Sequence, residues 1–478
     1  MVFSSLNFIF VFLPALLAVY FLCLKLCPRL RNMVLLLASL AFYAWGGVAF
    51  LPVMLCSITI NALFGYLVGR ARERERPRRA KGLMITAVVL NLALLCYFKY
   101  TNFLVENINA LLGSAIPDPG IVLPIGISFF TFQGMSYVLD VYMGRAQYER
   151  NPLNVALYVA LFPQLIAGPI VRYSTVADEI RHRRENLTDF TDGIVRFGIG
   201  LGKKVILANG VGALVSEIFA LPAGNVSVVT AWLGGIGYTL QIYFDFAGYS
   251  DMAIGLGRMF GFHFQENFIY PCVARSISDY RRRWHISLSQ WFRDYVYIPL
   301  GGNRCSLLKN LRNIFIVWLL TGVWHGAAWS YVAWGVYYAL LLILEKLFLK
   351  KWIDKLWRPL QHVYTMVLVV IGYVIFRSAT LEYGVTMIGA MFGATGQAFF
   401  DAAALRFLHE YWVELLVAVV AALPVKNLVQ GLVGRIRREG LRDFVQVWGS
   451  AAWACGVIGL SVVCLVGSGF NPFIYFQF

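Results

Sequence analysis

Twelve long apolar runs, joined by short loops that hold most of the charge, constrain this chain more than anything else in it. They fall near 6–24, 33–46, 48–69, 82–100, 122–143, 193–220, 228–260, 312–325, 328–349, 362–378, 409–424 and 444–467. Most are long enough to cross the roughly 30 Å hydrocarbon core of a bilayer as helices. Inside that core every backbone N–H and C=O must find a partner within the protein, which leaves α-helices or closed barrels. The runs lack the strict alternation of barrel strands, so they predict an all-α polytopic membrane protein. Only 14% of the residues are charged and 59% are hydrophobic, against about 25% charged in soluble domains.

The net charge of +16 follows the loops. Arg70–Arg79 with Lys81, Lys346–Arg358 and Lys426–Arg442 are basic and predict cytoplasmic faces, whereas 101–121, 221–227 and 379–407 are poor in Lys and Arg. Alternating sides along the chain puts both termini outside the cytoplasm. Met1–Phe12 lacks the basic start of a cleavable signal and reads as the beginning of a retained span. A basic cytoplasmic face attracts anionic lipid and anionic donors such as coenzyme A; nucleic acid is not implied. Six of the eight cysteines lie in locally apolar stretches and none forms a C-x-x-C pair, so neither a disulfide framework nor a zinc ribbon is expected.

Two regions break the pattern. Residues 153–171 are apolar, but both flanks are basic, and Pro163, Gly168 and Pro169 interrupt them; a re-entrant element buried in protein fits these features. Residues 262–311 are too polar for a span and too aromatic for an ordinary loop, and predict amphipathic helices at the cytoplasmic interface or dipping into the bundle. No internal repeat points to a transporter built of inverted halves. The chain is expected to form a single membrane-embedded domain, 1–478, with N-terminal helices over 1–120, a core over 121–350 and C-terminal helices over 351–478.

Polar residues at membrane depth are candidates for function. His325 follows Arg312 by thirteen residues, which at about 1.5 Å per residue places it roughly 20 Å below a surface marked by that arginine. Histidine there is either a proton carrier or a helix–helix hydrogen bond, and Gly322 and Gly326 leave space beside it. His285 shares a helical face with Trp284, Leu288, Trp291, Phe292 and Tyr295, next to Arg281, Arg282 and Arg283; the pattern by itself favours an interfacial anchor with snorkelling arginines. Asp245 and Asp251 need partners, either the arginines of 281–293 or a histidine to orient, and Gln241, Tyr243 and Ser250 add polar capacity near them. No metal motif, nucleophile elbow or phosphate-binding glycine loop is present.

These blocks resemble the membrane-bound O-acyltransferase (MBOAT) family. Arg283–Ser289, Trp291–Tyr295 and Ile298–Gly302 are similar to its signature, and Trp324-His325-Gly326 to the block that carries its catalytic histidine. Pro124–Gln133, Phe162–Ile170, Tyr243–Asp251 and Asn471–Phe478 resemble its bacterial, alginate O-acetyltransferase-like branch. The resemblance implies an MBOAT-like ring of about twelve helices with re-entrant segments around a central funnel or tunnel. It makes His325 and His285 catalytic, with Trp324, Trp284, Asp245, Asp251, Gln241, Tyr243, Ser289 and Arg293 as substrate or tunnel candidates. It implies O-acetylation of an extracytoplasmic polysaccharide, with acetyl-CoA as donor and no bound cofactor or metal. A separate extracytoplasmic acetyltransferase or the polysaccharide itself would be the acceptor, in a bacterial inner or plasma membrane. D-alanyl transfer toward teichoic acid, or lipid or polysaccharide transport without chemistry, are the alternatives.

Overall fold

A computed structural model describes residues 2–113, 115–166, 168–436, 438–467, 471 and 474. Among them all regular structure is helical. Each of the twelve apolar runs falls largely on helix. Seven helical stretches are long and apolar enough to cross a membrane: Phe8–Leu26, Val48–Glu73, Pro77–Leu112, Leu187–Ala220, Trp329–Ile353, Arg358–Arg377 and Glu439–Gly467. Ala402–Ala422 and Val425–Val433, bent by 63°, make an eighth if counted as one span. The four other runs form Arg31–Gly46, Ile127–Met143, Val228–Met259 and Leu307–His325.

The chain divides into two compact units. The first takes Met1–Phe197 with Met252–Gln265. It carries α1 (Leu13–Leu26), α2 (Arg31–Gly46), α3 (Leu51–Glu73), α4 (Pro77–Leu112), α5 (Ile127–Met143), α6 (Pro152–Ala160), α7 (Phe162–Leu165) and α8 (Tyr173–His182). Helices α3, α4 and α5 pack together at its centre. Two devices hold them. Asn61 on α3 and Asn91 on α4 exchange amide hydrogen bonds of 2.9 and 3.0 Å, both side chains being fully buried. Gly65 on α3 lets the Tyr137 ring of α5 lie against the helix backbone, in space a Cβ would occupy.

The segment expected to be re-entrant is broken into α6 and α7, of nine and four residues. A nine-residue helix spans only about 14 Å and cannot cross a bilayer. Asn151 caps α6 by accepting from the Leu153 N–H at 3.0 Å, and Pro152 supplies its first turn. The chain turns at Leu161 (φ −52°, ψ 109°), just before Pro163. Residues 157–166 are buried throughout, and the Gln164 side chain donates to the Tyr158 carbonyl at 2.6 Å. Irregular backbone is thus sealed inside protein, as a membrane setting requires.

The second unit takes Gly198–Asp251 with Glu266–Phe478. Helix α9 (Leu187–Gly202) enters it. Next come α10 (Asn209–Ala220), α11 (Val228–Met259), α12 (Ile277–Arg283), α13 (Ile286–Phe292), α14 (Leu307–His325), α15 (Trp329–Leu344), α16 (Lys350–Ile353), α17 (Arg358–Arg377), α18 (Leu381–Met391), α19 (Ala402–Ala422), α20 (Val425–Val433) and α21 (Glu439–Gly467). Its core is aromatic: Tyr238, Phe244, Trp334, Tyr338, Tyr373 and Phe376 belong to one buried cluster. Helices α14 and α15 cross at bare backbone. The Gly322 Cα lies so near Gly335 that a Cβ on either would meet the other's Cα at 3.1 Å. The C-terminal motif Asn471–Phe478 lies outside the described residues apart from Asn471 and Ile474.

Replacing Gly65 with valine should force Tyr137 off α3 and cost about 1–3 kcal/mol, the usual range for overpacking. Thermal unfolding of the detergent-solubilised variant checks this; an unchanged midpoint would mean the ring relocates without penalty.

Candidate active site

The second unit brings His285 and His325 to one small buried cavity. His325 is the last residue of α14, and the chain leaves the helix through extended Gly326. The glycine crossing with α15 brings the His325 ring against Trp334, with centroids 5.0 Å apart; Phe376 of α17 stacks edge-on at 5.2 Å. The imidazole is 4% exposed.

His285 is reached differently from the sequence expectation. Residues 281–295 do not form one continuous helix. Helix α12 ends at Arg283 and α13 begins at Ile286, with His285 between them in the left-handed region (φ 42°, ψ 56°). Only a few per cent of non-glycine residues adopt that conformation, histidine being among the more tolerant. The turn sets His285 at the start of α13, whose Leu288, Trp291 and Phe292 are buried as the pattern predicts.

Asn267 fixes the ring. Its side-chain oxygen accepts from the Ser287 backbone N–H at 3.2 Å and from the Ser287 hydroxyl at 2.9 Å. A backbone N–H can only donate, so that atom of Asn267 is the carbonyl oxygen and not the amide nitrogen. The same oxygen lies 3.2 Å from His285 Nδ1, which must therefore carry the proton. The amide nitrogen of Asn267 donates to Ser250 Oγ at 3.0 Å. With Nδ1 protonated, Nε2 of a neutral ring presents a bare lone pair, and it has no hydrogen-bond partner among the described residues. Burial, and next the nearby His325, push His285 well below the usual histidine range, favouring the neutral ring.

The cavity has a volume of about 30 Å³. Trp284 and Ser289 line it, as do Tyr280, Arg281, Tyr338 and Tyr373. Trp284 stacks on Tyr280 at 5.7 Å, and the Tyr280 and Tyr373 hydroxyls are 3.1 Å apart. Trp324 is not among the lining residues, but its ring centroid lies 6.0 Å from that of His285 and 5.0 Å from that of His325. The remaining candidates do not line it. Asp245 forms a buried ion pair with Lys204 at 2.6 Å and accepts from the Ile474 N–H at 3.3 Å. Asp251 pairs with Lys203 at 2.7 Å. Gln241 is buried elsewhere on α11, and Tyr243 touches the wall from behind, 6.2 Å from Trp284. Arg293 is half exposed and bonds Asp294 at 2.8 Å. Among the described residues no three His, Cys, Asp or Glu side chains cluster as a metal site would require.

Asn267, Ser287 and Glu345 were missed from the sequence. The Glu345 carboxylate, 1% exposed, accepts from the backbone N–H of Ile277 at 2.7 Å and of Ser278 at 2.9 Å. It thereby fixes the first turn of α12, together with Ser276, whose hydroxyl accepts from the Asp279 N–H at 3.0 Å. Those caps hold the helix that delivers Arg281 and Trp284 to the cavity.

Residues 145–380 match the model of the membrane-bound O-acyltransferase family. The chain is 45% identical over 396 residues to the probable alginate O-acetylase AlgI of Pseudomonas aeruginosa, covering 82% of this chain and 75% of the relative. This chain belongs to the membrane-bound O-acyltransferase family. The corresponding Pseudomonas putida protein, also named a probable alginate O-acetylase AlgI, is 40% identical over the full length of both chains. The peptidoglycan O-acetyltransferase of Helicobacter pylori is 31% identical, covering 100% of this chain and 98% of the relative. The family makes this acyltransferase an enzyme, and its apolar helices make it a multi-pass membrane protein.

Asn267→Ala should lower the transfer rate roughly ten- to hundred-fold, the effect of losing a hydrogen bond and stranding buried partners. Asn267→Asp should retain more activity, because it keeps the acceptor and the Ser250 hydroxyl can turn to donate. Equal loss in both, with both proteins folded by thermal unfolding, would remove Asn267 from the site.

Proposed function

We propose that this acyltransferase moves acetyl from cytosolic acetyl-CoA to a hydroxyl on the extracytoplasmic side, serving O-acetylation of a polysaccharide. The observation that carries the reading is the meeting of two imidazoles, forty residues apart in sequence, on one buried cavity. The relatives that span the whole chain are named for O-acetyl chemistry. A cavity of about 30 Å³ also favours the smallest acyl group. Its lining has an arginine but no carboxylate to receive an ammonium, which disfavours D-alanyl as the cargo.

In the reaction the acceptor oxygen attacks the thioester carbonyl; a C–O bond forms and the C–S bond breaks. His325 takes the hydroxyl proton and passes it to the departing thiolate, so the products are an ester and free thiol. His285, with its proton on Nδ1, cannot donate from Nε2 to a developing oxyanion. Its bare Nε2 instead accepts from a second donor on the acceptor and so aims the attacking oxygen, whose own proton goes to His325. Removal from water favours the neutral form of His285 and strengthens these contacts. Arg281 stands at the cavity wall, suited to the phosphates of the donor.

The chain acts here as a single membrane-embedded domain with its catalytic core in 121–350. It lies in a bacterial inner or plasma membrane with both termini outside the cytoplasm, as the basic loops suggest. A separate extracytoplasmic acetyltransferase or the polysaccharide itself is its acceptor, and it needs no bound cofactor.

His325→Ala should cut transfer of radiolabel from acetyl-CoA to surface polysaccharide in membrane vesicles by roughly 10²–10⁴-fold, the range for losing a general base. Persisting transfer at unchanged protein level would end the proposal.

A further inference from the structure

Within the first unit, a groove of about 570 Å³ opens between the end of α3 and the segment after α5. It shares no residue with the histidine cavity. Arg72, Arg145 and Arg150 line it against a single carboxylate, Glu73, which accepts from the Tyr148 hydroxyl at 2.9 Å. Arg72 is set in place: its Nη1 donates to the Val141 carbonyl, in the last turn of α5, at 2.6 Å. Gly144 (φ +76°) keeps the guanidinium uncovered, since a Cβ there would come within 2.7 Å of Arg72 Nη2. Gly69 does the same for the wall by letting the Tyr148 ring rest on α3, and Tyr66 braces that ring edge-on at 5.6 Å. The Arg150 guanidinium reaches the Tyr148 ring at 6.0 Å.

We propose that this groove is a binding site for a phosphate ester anion. Its volume is that of a ligand site, far above what one ion needs. Arginine forks match phosphate oxygens in pairs, and an anchored guanidinium gives up little entropy on binding. Two sources share this chemistry: the headgroup of an anionic lipid and the phosphates of a soluble nucleotide. The proposal goes beyond acyl transfer and does not rest on it.

The test uses the full chain in uncharged detergent, titrated calorimetrically with dioctanoyl phosphatidylglycerol, dioctanoyl phosphatidylcholine and adenosine 3′,5′-bisphosphate. The variants are Arg145→Gln with Arg150→Gln in the groove, and Arg78→Gln with Arg79→Gln as a control of equal charge on the exposed basic run. Arg72 is left alone because it holds α5. Saturable binding of the glycerol lipid or the bisphosphate is expected, weakened at least about ten-fold in the groove variant and unchanged in the control. Binding of the first assigns the site to lipid, of the second to a nucleotide. No binding, equal binding of phosphatidylcholine, or equal loss in both variants would overturn the proposal.

Discussion

A backbone placed in hydrocarbon must satisfy its own hydrogen bonds, and the rest of this structure depends on that demand. It makes every regular element among the described residues a helix. It also dictates where regularity can be abandoned. The chain breaks its helices at Leu161, inside a run of buried residues, and again at His285, where the Ile286 N–H finds the Asn267 carbonyl at 3.0 Å. Buried side-chain amides do this work repeatedly: Asn61 with Asn91, Gln164 with the Tyr158 carbonyl, Asn267 with Ser287 and His285.

The histidines illustrate two ways of holding an imidazole. His325 is packed in a cage of rings that the α14–α15 glycine crossing closes. His285 is held by hydrogen bonds, through an amide whose orientation a backbone N–H dictates. The second mode sets the tautomer as well as the position, because only one ring nitrogen can face an acceptor and remain favourable.

Much of this was legible in the sequence. The apolar runs gave the helices, Pro163 and its basic flanks marked the buried break, and the depth of His325 made it conspicuous. The aromatic pattern around His285 found the buried face but mistook two short helices for one, because periodicity carries no sign of a single left-handed residue. Asn267 stands in an irregular stretch with no period to betray it. Glu345 reads as the acid beside a lysine-rich loop, yet it caps a helix sixty-eight residues earlier in the chain. The partners of Asp245 and Asp251 are consecutive lysines, 204 and 203. Such pairings are set by tertiary packing, which one sequence does not display.

The left-handed turn at residue 285 separates two requirements that usually coincide. Glycine would suit its backbone better, for an L-residue is held there against roughly 1–2 kcal/mol of steric strain. Only an imidazole, however, can engage the Asn267 oxygen while baring a nitrogen to the cavity. The chain keeps the residue that fits the backbone less well, and neighbours distant in sequence hold it in that contorted shape, so that local stability is sacrificed to the placement of one ring.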